Sequence, residues 1–471
     1  MASCTLLRAA AHGSASSSSR CSITFCPDAA ASAFYHPVCL NPVVKRQSPG
    51  VVKWVPPECL HVRGAAAAGR PTLKRLEKVD INRQPHTRRD KSETQVLEFN
   101  DGNNELQENR IEGSGSKVLL GKSQEELEEL AIALGEQKYR GRQLHLLIYK
   151  NKMNSIQDCA QLPKMFRDAL EAEGWSMGRS TIHHSTISSD GTVKILLRLV
   201  DSRLVETVGI PVEEKSGGSR LTACVSSQVG CPLGCTFCAT GKGGFARNLK
   251  PHEIIEQVLA IEELFKQRVT NVVFMGMGEP LLNIASVLAA HHVLNKEMLI
   301  GQRMMTISTV GVPNTINHLA THKLQSTLAI SLHAPNQELR AQIVPSAKLY
   351  PLEVLMEDCR QYFQTTGRRV SFEYTLLAGV NDQKQHADEL ADLLHHWNLG
   401  RHVNIIPYNP IADSEFQRPT KASVLAFVET LSTRRVTASI RRTRGLDANA
   451  ACGQLRNDFQ KVPLNAALAI T

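Results

Sequence analysis

Apolar and polar residues alternate with two different periods in the C-terminal half of the chain. From Leu221 onward, short apolar runs typical of strands are separated by amphipathic stretches typical of helices, such as residues 251–265. This alternation favours an α/β fold with a parallel sheet, either open or closed into a barrel. Functional groups of such sheets gather at the carboxyl ends of the strands. The predicted strands are 222–225, 271–275, 304–308, 327–332, 370–376, 403–407 and 436–441.

Residues 119–180, which precede this region, have a helical pattern. Ser123 and Glu126 match a capping box, and apolar residues follow them at helical spacing. Two further helices are expected near residues 142–149 and 162–173. The pattern predicts a small N-terminal helical domain.

Residues 181–217 show the alternation of a half-buried strand, and Asp190-Gly191 supplies a turn. We expect a β-hairpin extension here, which links the helical domain to an α/β domain over residues 218–460.

The first 60 residues have the composition of an organellar transit peptide. They contain a serine run from Ser16 to Ser19, many alanines, few acids and no apolar core with a cleavage box. The richness in serine and alanine favours the chloroplast over the mitochondrion, and a disordered tail without a targeting role is the alternative. Residues 61–118 are polar and are expected to be a disordered linker. The basic residues of the first segment are Arg8, Arg20, Lys45, Arg46 and Lys53.

Composition narrows the class of protein. The chain has 471 residues and a net charge of +9, an excess that is compatible with an acidic partner but too dilute to prove one. No apolar run reaches the length of about 18 residues that a membrane-spanning helix needs. The 12 cysteines in a chain of this length do not predict a disulfide-rich secreted scaffold. The chemical argument rests on Cys224, Cys231, Cys235, Cys238 and Cys452.

The strongest motif is the loop Cys231-Pro-Leu-Gly-Cys235-Thr-Phe-Cys238, which follows a predicted strand. Three thiolates on one short loop can hold three irons of a [4Fe–4S] cluster and leave the fourth iron open for a small molecule. The alternatives are a zinc site or unrelated thiols. Zinc would need a fourth ligand nearby, and no His or Cys follows within the next dozen residues.

Further motifs follow the cluster loop in a fixed order. Small glycines in Met275-Gly-Met-Gly278-Glu279-Pro280 let the backbone approach a ligand, and the carboxylate can pair with an ammonium group. With the cluster loop, these motifs resemble the radical S-adenosylmethionine (SAM) enzymes, and in particular the RlmN-type and Cfr-type RNA adenosine methyltransferases. The other matching pieces are Cys224-Val-Ser-Ser-Gln-Val-Gly-Cys231, Ser308-Thr-Val-Gly311, Ser331-Leu-His333-Ala-Pro-Asn336, Pro407-Tyr-Asn409-Pro410, Arg444-Gly-Leu-Asp447 and Ala450-Ala-Cys452-Gly-Gln-Leu455.

The resemblance covers the chain from about residue 123 and implies its fold and cofactors. It implies a partial (β/α)6 radical SAM barrel, a [4Fe–4S] cluster on Cys231, Cys235 and Cys238, and SAM on the fourth iron. An electron from a donor such as ferredoxin or flavodoxin would cleave SAM to a 5′-deoxyadenosyl radical. A monomer without membrane attachment is expected. The SAM contacts carried over by position are Gly278, Glu279, Ser308, Ser331, His333 and Asn409.

The resemblance also assigns two cysteines outside the cluster loop. Carbon C2 of adenine is a poor nucleophile, so the family first methylates a protein cysteine, which matches Cys452. A radical made from a second SAM takes a hydrogen from that methyl group, and the resulting methylene radical adds to the base. A second cysteine, matching Cys224, releases the product through a disulfide with Cys452. Glu206 matches a carboxylate assigned as proton acceptor, a role that Cys224 could take instead, and an exposed strand glutamate is the alternative.

RNA binding has separate support around Cys452. Residues 431–461 contain seven basic residues against two acids, which suits a phosphate backbone, although a solvated basic face is the alternative. The helical domain of residues 119–180 is a second candidate RNA contact. Because the base must leave its stack, an unpaired loop is the expected target. The basic residues are Arg434, Arg435, Arg441, Arg442, Arg444, Arg456 and Lys461.

These observations predict an RNA methyltransferase that forms 2-methyladenosine in large-subunit ribosomal RNA, transfer RNA or both. Two alternatives stay open: C8 methylation of adenosine, the Cfr-type activity, and a non-catalytic iron–sulfur or zinc protein that binds RNA. The pair of Cys224 and Cys452 argues against the second. Val310 and Leu446 depart from the bacterial motifs, and these departures concern substrate choice more than mechanism.

Overall fold

The computed structural model describes residues 117–213, 217–399 and 402–456. The predicted transit peptide (1–60) lies outside these residues, as does the predicted linker (61–118) apart from its last two residues, so both stay predictions. Within the described ranges, no helix is long and apolar enough to cross a membrane.

The first elements form the helical segment that the sequence predicts. Helix α1 (Gln124–Ala133) begins with the expected capping box, in which the Ser123 hydroxyl accepts from the Glu126 amide at 3.2 Å and the Glu126 carboxylate accepts from the Ser123 amide at 2.7 Å. Helix α2 (Lys138–Tyr149) meets α1 at Gly141, where a Cβ would lie 2.3 Å from the Cα of Glu128. The segment also contains β1 (Lys117–Val118), α3 (Lys164–Ala172) and β2 (Trp175–Ser176).

The predicted hairpin is present, but it belongs to a larger sheet. Strands β3 (Thr181–Ile187) and β4 (Val193–Arg198) pair antiparallel. Strand β5 (Leu204–Glu213) pairs with β4, and β6 (Ser219–Cys224) pairs with β5. The hairpin therefore runs without a break into the α/β region. The cluster loop comes next, among β7 (Gln228–Gly230), α4 (Ala239–Lys242) and β8 (Phe245–Asn248).

The rest of the described chain alternates strands and helices, as predicted. The elements are α5 (Pro251–Phe265), β9 (Asn271–Phe274), α6 (Ile284–Lys296), β10 (Met305–Thr309), α7 (Thr315–Thr321), β11 (Thr327–Ser331), α8 (Gln337–Ile343), α9 (Leu352–Thr366), β12 (Ser371–Leu376), α10 (Lys384–His396), β13 (His402–Pro407), α11 (Lys421–Thr433) and β14 (Thr437–Ile440). The seven predicted strands match β6 and β9–β14 to within a few residues.

The order of the parallel strands defines a partial barrel. From β6 to β14, each parallel strand pairs with the next one along the chain. Because crossovers between parallel strands are right-handed, this order puts the helices on one face of the sheet and leaves the other face as the barrel interior. No pairing among the described residues closes β14 onto β3. The six β/α units in this part of the chain confirm the predicted partial (β/α)6 architecture.

The two faces of the sheet differ in chemistry. Apolar side chains that face the helices are fully buried, for example Val272 and Phe274 on β9 and Leu328 and Ile330 on β11. The alternate positions face the interior, where a cavity is lined by Thr306, Ser371, Glu373 and Asn404 among others. The helix-facing layer stabilises the fold, and the inner layer is left for chemistry.

The helical segment shares the apolar core of the barrel. Two ion pairs also tie it to α5: Arg179 Nε lies 2.5 Å from Glu256, and Lys152 Nζ lies 2.8 Å from Glu262. Both glutamates are buried. The segment therefore has no separate core, and the barrel fixes its position.

Candidate active site

The three cysteines of the cluster loop line one cavity at the carboxyl end of the sheet. Backbone bonds shape the loop: the Cys231 amide donates to Gly244 at 2.8 Å, the Cys238 amide to Cys235 at 3.1 Å, and the Thr236 amide to Ile343 at 3.1 Å. Burial raises the pKa of the Cys231 thiol to about 12 and that of Cys235 well above its usual value. These thiols would ionise when a metal binds them.

The donor set of this loop is three cysteine thiols that line one cavity. A [4Fe–4S] cluster takes one thiolate per iron, so three thiols of one loop suit three of its irons. Among the described residues, no group of three or more His, Cys, Asp and Glu side chains is placed to hold a single metal ion.

Gly278 and Glu279, which are predicted to contact SAM, follow strand β9 and line the same cavity. Gly278 has a φ of +101°, and a Cβ there would lie 2.5 Å from the Cβ of Gln228, so only glycine fits. The carboxylate of Glu279 accepts from the amides of Leu281 and Val310, each at 3.0 Å. Burial raises the pKa of Glu279 to about 7, so the carboxyl group is only partly ionised at neutral pH.

Three more predicted residues line this cavity. The hydroxyls of Ser308 and Ser331, on neighbouring strands, lie 3.3 Å apart. His333 follows with a φ of 61°, and its Nδ1 accepts from the Thr375 amide at 3.1 Å. Burial and Arg340 lower the pKa of His333 to about 3. A neutral ring that accepts at Nδ1 carries its proton on Nε2.

The SAM contact of Asn409 stays a prediction, because this residue is not among those that line the cavity of the cluster cysteines. It lines the adjoining larger cavity, where its Nδ2 donates to the Cys452 carbonyl at 3.0 Å and its Oδ1 accepts from Arg418 at 3.0 Å. In this conformation Asn409 positions the segment of Cys452.

The segment that carries Cys452 packs against the cluster loop. The amide of Ala239, directly after Cys238, donates to Gly453 at 2.7 Å, and the Thr240 hydroxyl donates to Leu455 at 2.6 Å. Cys452 is exposed and borders both cavities. Cys452, the predicted methyl carrier, therefore lies on the boundary between the cavity of the cluster cysteines and the adjoining larger cavity.

Cys224 lies across the larger cavity, whose volume is ≈ 470 Å³. It ends β6, and both it and Cys452 are free thiols. Burial raises the pKa of Cys224 to about 12, with a smaller contribution from Cys452. Desolvation also raises the pKa of Cys452, and the Arg441 guanidinium opposes both shifts. The structure brings together the two cysteines that the sequence paired.

Glu206 does not join them. Its carboxylate is buried and lies 3.0 Å from Lys194 Nζ, in a separate cavity beside Asp447, Ala448 and Asn449. The main-chain amide of Glu206 lies 3.5 Å from Met277 Sδ. The proton-acceptor role of Glu206 stays a prediction that this conformation does not favour.

The sequence analysis did not predict an ion pair in the barrel interior, between Glu373 and Arg441. Glu373 lies 3.5 Å from Arg441 Nη1 and accepts from Asn404 Nδ2 at 2.8 Å. Glu373 lines the cluster cavity, and Arg441 lines both cavities. The sequence does indicate the inner face of β12, because polar residues occupy every second position of an otherwise apolar strand. These residues are Ser371, Glu373 and Thr375.

The predicted basic stretch contributes only in part to the larger cavity. Arg441, Arg442 and Arg444 line it, joined by Arg220 and Arg303, which the sequence did not single out. Arg434 instead pairs with Asp388 at 3.1 Å and with Asp392. Lys461 lies outside the described residues.

The fold and the cluster cavity define a radical SAM protein. Residues 225–393 match the family model described as the radical SAM superfamily. A solved radical SAM methyltransferase from Sphaerobacter thermophilus matches with a TM-score of 0.68 and 40% identity, over 72% of this chain and 99% of that one.

Curated relatives narrow the class to one family. A protein from Acaryochloris marina (strain MBIC 11017) is 56% identical over 339 residues, which are 72% of this chain and 94% of its own. One from Thermosynechococcus vestitus is also 56% identical over 339 residues, 98% of its own length. Both are named probable dual-specificity RNA methyltransferase RlmN. The chain belongs to the RlmN family.

Proposed function

We propose that this protein is a radical SAM enzyme that methylates C2 of adenosine in RNA through a methylated Cys452. The observation that carries the proposal is the position of Cys452 between two cavities, one lined by the cluster cysteines and the other by Cys224 and five arginines. Membership of the RlmN family supports RNA methylation. The relatives' names, with the words dual-specificity, support more than one kind of RNA substrate.

The residues of the smaller cavity suit both cofactors. Cys231, Cys235 and Cys238 would hold a [4Fe–4S] cluster, and the glycine wall at Gly278 would admit SAM. Together the two groups supply an electrophilic methyl group and a hydrogen-abstracting radical. The ionised Glu279 carboxylate can pair with an ammonium group, and the hydroxyls of Ser308 and Ser331 can hydrogen-bond polar groups of the ligand.

The two cysteines would divide the remaining chemistry. Cys452 accepts the methyl group as its thiolate, which the positive charge of Arg441 favours. Cys224 lines the larger cavity and can reach the adduct, so we assign the adenine C2 proton to Cys224 in preference to Glu206. The adduct radical would also give up one electron, for which the oxidised cluster is the acceptor, and Cys224 would pass its proton to solvent. Attack of the resulting Cys224 thiolate on the Cys452 sulfur would break the bond from that sulfur to the methylene carbon. The carbon would leave with the electron pair and take a proton to become the methyl group, and an external thiol would reduce the disulfide that remains.

The larger cavity suits an RNA loop. Arg220, Arg303, Arg442 and Arg444 can contact phosphates on either side of an adenosine that leaves its stack. We propose large-subunit ribosomal RNA and transfer RNA as the two substrates.

The cellular setting is proposed from the sequence. The composition of residues 1–60 supports import into the chloroplast, with the mitochondrion as the alternative. Reduced ferredoxin or flavodoxin would supply the electron, and a monomer suffices because one chain carries every group named above.

The substrate test compares organellar RNA with and without this protein. Ribosomal and transfer RNA are separated, digested and measured by mass spectrometry of nucleosides. We expect 2-methyladenosine to disappear from one or both fractions. Loss of 8-methyladenosine instead would favour the alternative carbon, and no change in either nucleoside would contradict the proposal.

A further inference from the structure

A buried arginine beside the cluster loop forms no ion pair with any acidic side chain of the described residues. Arg340 on α8 is 1% exposed. Its Nε donates to the Leu332 carbonyl at 3.2 Å and its Nη2 to the Val310 carbonyl at 2.6 Å. Its Nη1 is buried without a hydrogen-bond partner in the part of the chain that the structure describes. A buried guanidinium is costly unless an anion compensates it.

Helix α8 holds this guanidinium next to the cluster loop. Ile343, one turn after Arg340, accepts from both the amide and the hydroxyl of Thr236, each at 3.1 Å. Thr236 directly follows Cys235. Val310, whose carbonyl Arg340 binds, lines the cavity of the three cluster cysteines. Arg340 therefore lies between the cluster loop and the strand ends that form the cavity wall.

The other ionisable groups near Arg340 do not supply the missing negative charge. Burial raises the pKa values of Tyr350 and Cys359, so both are neutral at pH 7. The carboxylate of Asp358 bonds to Tyr350 and Asn317 and forms no ion pair with Arg340 among the described residues. Burial lowers the pKa of Arg340 to about 10, so the guanidinium keeps its charge at neutral pH. Cys235, which directly precedes Thr236 on the cluster loop, is a neighbour that would become anionic when it binds a metal.

We propose that Arg340 is the counter-charge of the [4Fe–4S] cluster and raises its reduction potential. The proposal rests on the function proposed above, because only a cluster held by these thiolates supplies the anion. Reduction moves one electron from the donor, which is oxidised, to the cluster, which gains a negative charge. A fixed positive charge in a low-dielectric surrounding stabilises this reduced state more than the oxidised one.

The test is the midpoint potential of the cluster in the full-length protein, measured by a redox titration monitored by electron paramagnetic resonance. We expect R340Q and R340M to shift the potential to more negative values, and R340K to stay close to the unsubstituted protein. The matched control is R179Q, which removes an arginine that pairs with Glu256 and Glu263 on α5, and should leave the potential unchanged. Unchanged potentials in R340Q and R340M with full iron content would overturn the proposal.

Loss of the cluster is also informative. If R340Q folds, as judged by circular dichroism, but takes up no iron while R340K does, the charge is needed and the proposal holds. Loss of iron in both variants would contradict it, since lysine keeps the charge. A protein that lacks a cluster even without substitution would instead refute the proposed function and not the role of Arg340 alone.

Discussion

At the scale of single residues, Arg441 links the two reactive thiols. It follows β14 and lines both cavities with Cys452, while Cys224 lies on the larger one. Its Nη1 lies 3.5 Å from Glu373, and its Nη2 lies 3.4 Å from Met275 Sδ. The positive charge lowers the pKa of each thiol against the effect of desolvation. Arg441 therefore favours the thiolate forms that both proposed steps need.

Removing this charge should make both thiols less reactive. In R441M, the pKa values of Cys224 and Cys452 should rise, so the pH at which they react with iodoacetamide should move upward. Alkylation of the cluster-loaded protein, followed by peptide mass spectrometry across a pH series, measures this shift. R303M is the matched control, because Arg303 lines the same cavity. Equal pH profiles for R441M and the unsubstituted protein would contradict the role of Arg441.

The sequence predicts which cysteines are reactive better than it predicts which charged residues surround them. Cys231, Cys235 and Cys238 stand out because their spacing places them on one loop. Glu373 and Arg441 belong to different elements, and only the strand order brings them to one cavity. Arg340 lies behind the wall of that cavity, where it binds the Val310 carbonyl. Asn409 shows the same limit: its motif indicates a ligand contact, whereas its bond to the Cys452 carbonyl depends on a segment 43 residues away.

At the scale of elements, the turn of the β3–β4 hairpin holds the segment of Cys452. Asp447 accepts from the Ser188 hydroxyl and, at 2.9 Å, from the Ser189 amide. Asp190 accepts from the Gly445 amide at 3.0 Å. These bonds fix the first half of the segment, while the cluster loop fixes the second half. The hairpin, which reads in the sequence as a linker, thus positions the nucleophile.

Breaking this contact should loosen the segment without affecting the cluster. In D447N the carboxylate is lost, so hydrogen exchange over residues 444–455 should become faster and methylation slower, with iron content unchanged. D201N is the control, because Asp201 pairs with Arg203 and Arg247. Unchanged exchange in D447N would contradict the positioning role.

The contact should not depend on pH in the neutral range. The bonds from Ser188 and Ser189 lower the pKa of Asp447 to about 2. A carboxylate whose pKa is lowered by folding stabilises the folded state at any pH above its pKa in the unfolded chain. This stabilisation is lost as the pH falls through the folded-state pKa of about 2. A substitution is therefore the better test than mild acid.

Element boundaries were predictable where the apolar period is clear. The strands from β9 to β14 follow runs whose alternate residues are buried against helices, such as Val272 and Phe274. The continuity of β5 with β6 was not predictable, because a sequence does not show which edge of a sheet a hairpin will extend.

At the scale of the whole molecule, the described chain separates two tasks. The smaller cavity collects the cluster cysteines and the predicted SAM residues, and the larger one collects arginines and Cys224. Cys452, Arg441 and Met275 border both. A carrier thiol at this boundary can receive its methyl group on one side and meet an RNA base on the other.

The carrier role of Cys452 is tested by methyl transfer to substrate RNA, with the reconstituted full-length protein and SAM that is labelled in its methyl group. Mass spectrometry of the RNA nucleosides and of the Cys452 peptide reads the result. We expect labelled 2-methyladenosine with the unsubstituted protein and with the control C159A, and none with C452A, whose iron content should be unchanged. Labelled 2-methyladenosine from C452A would contradict the account.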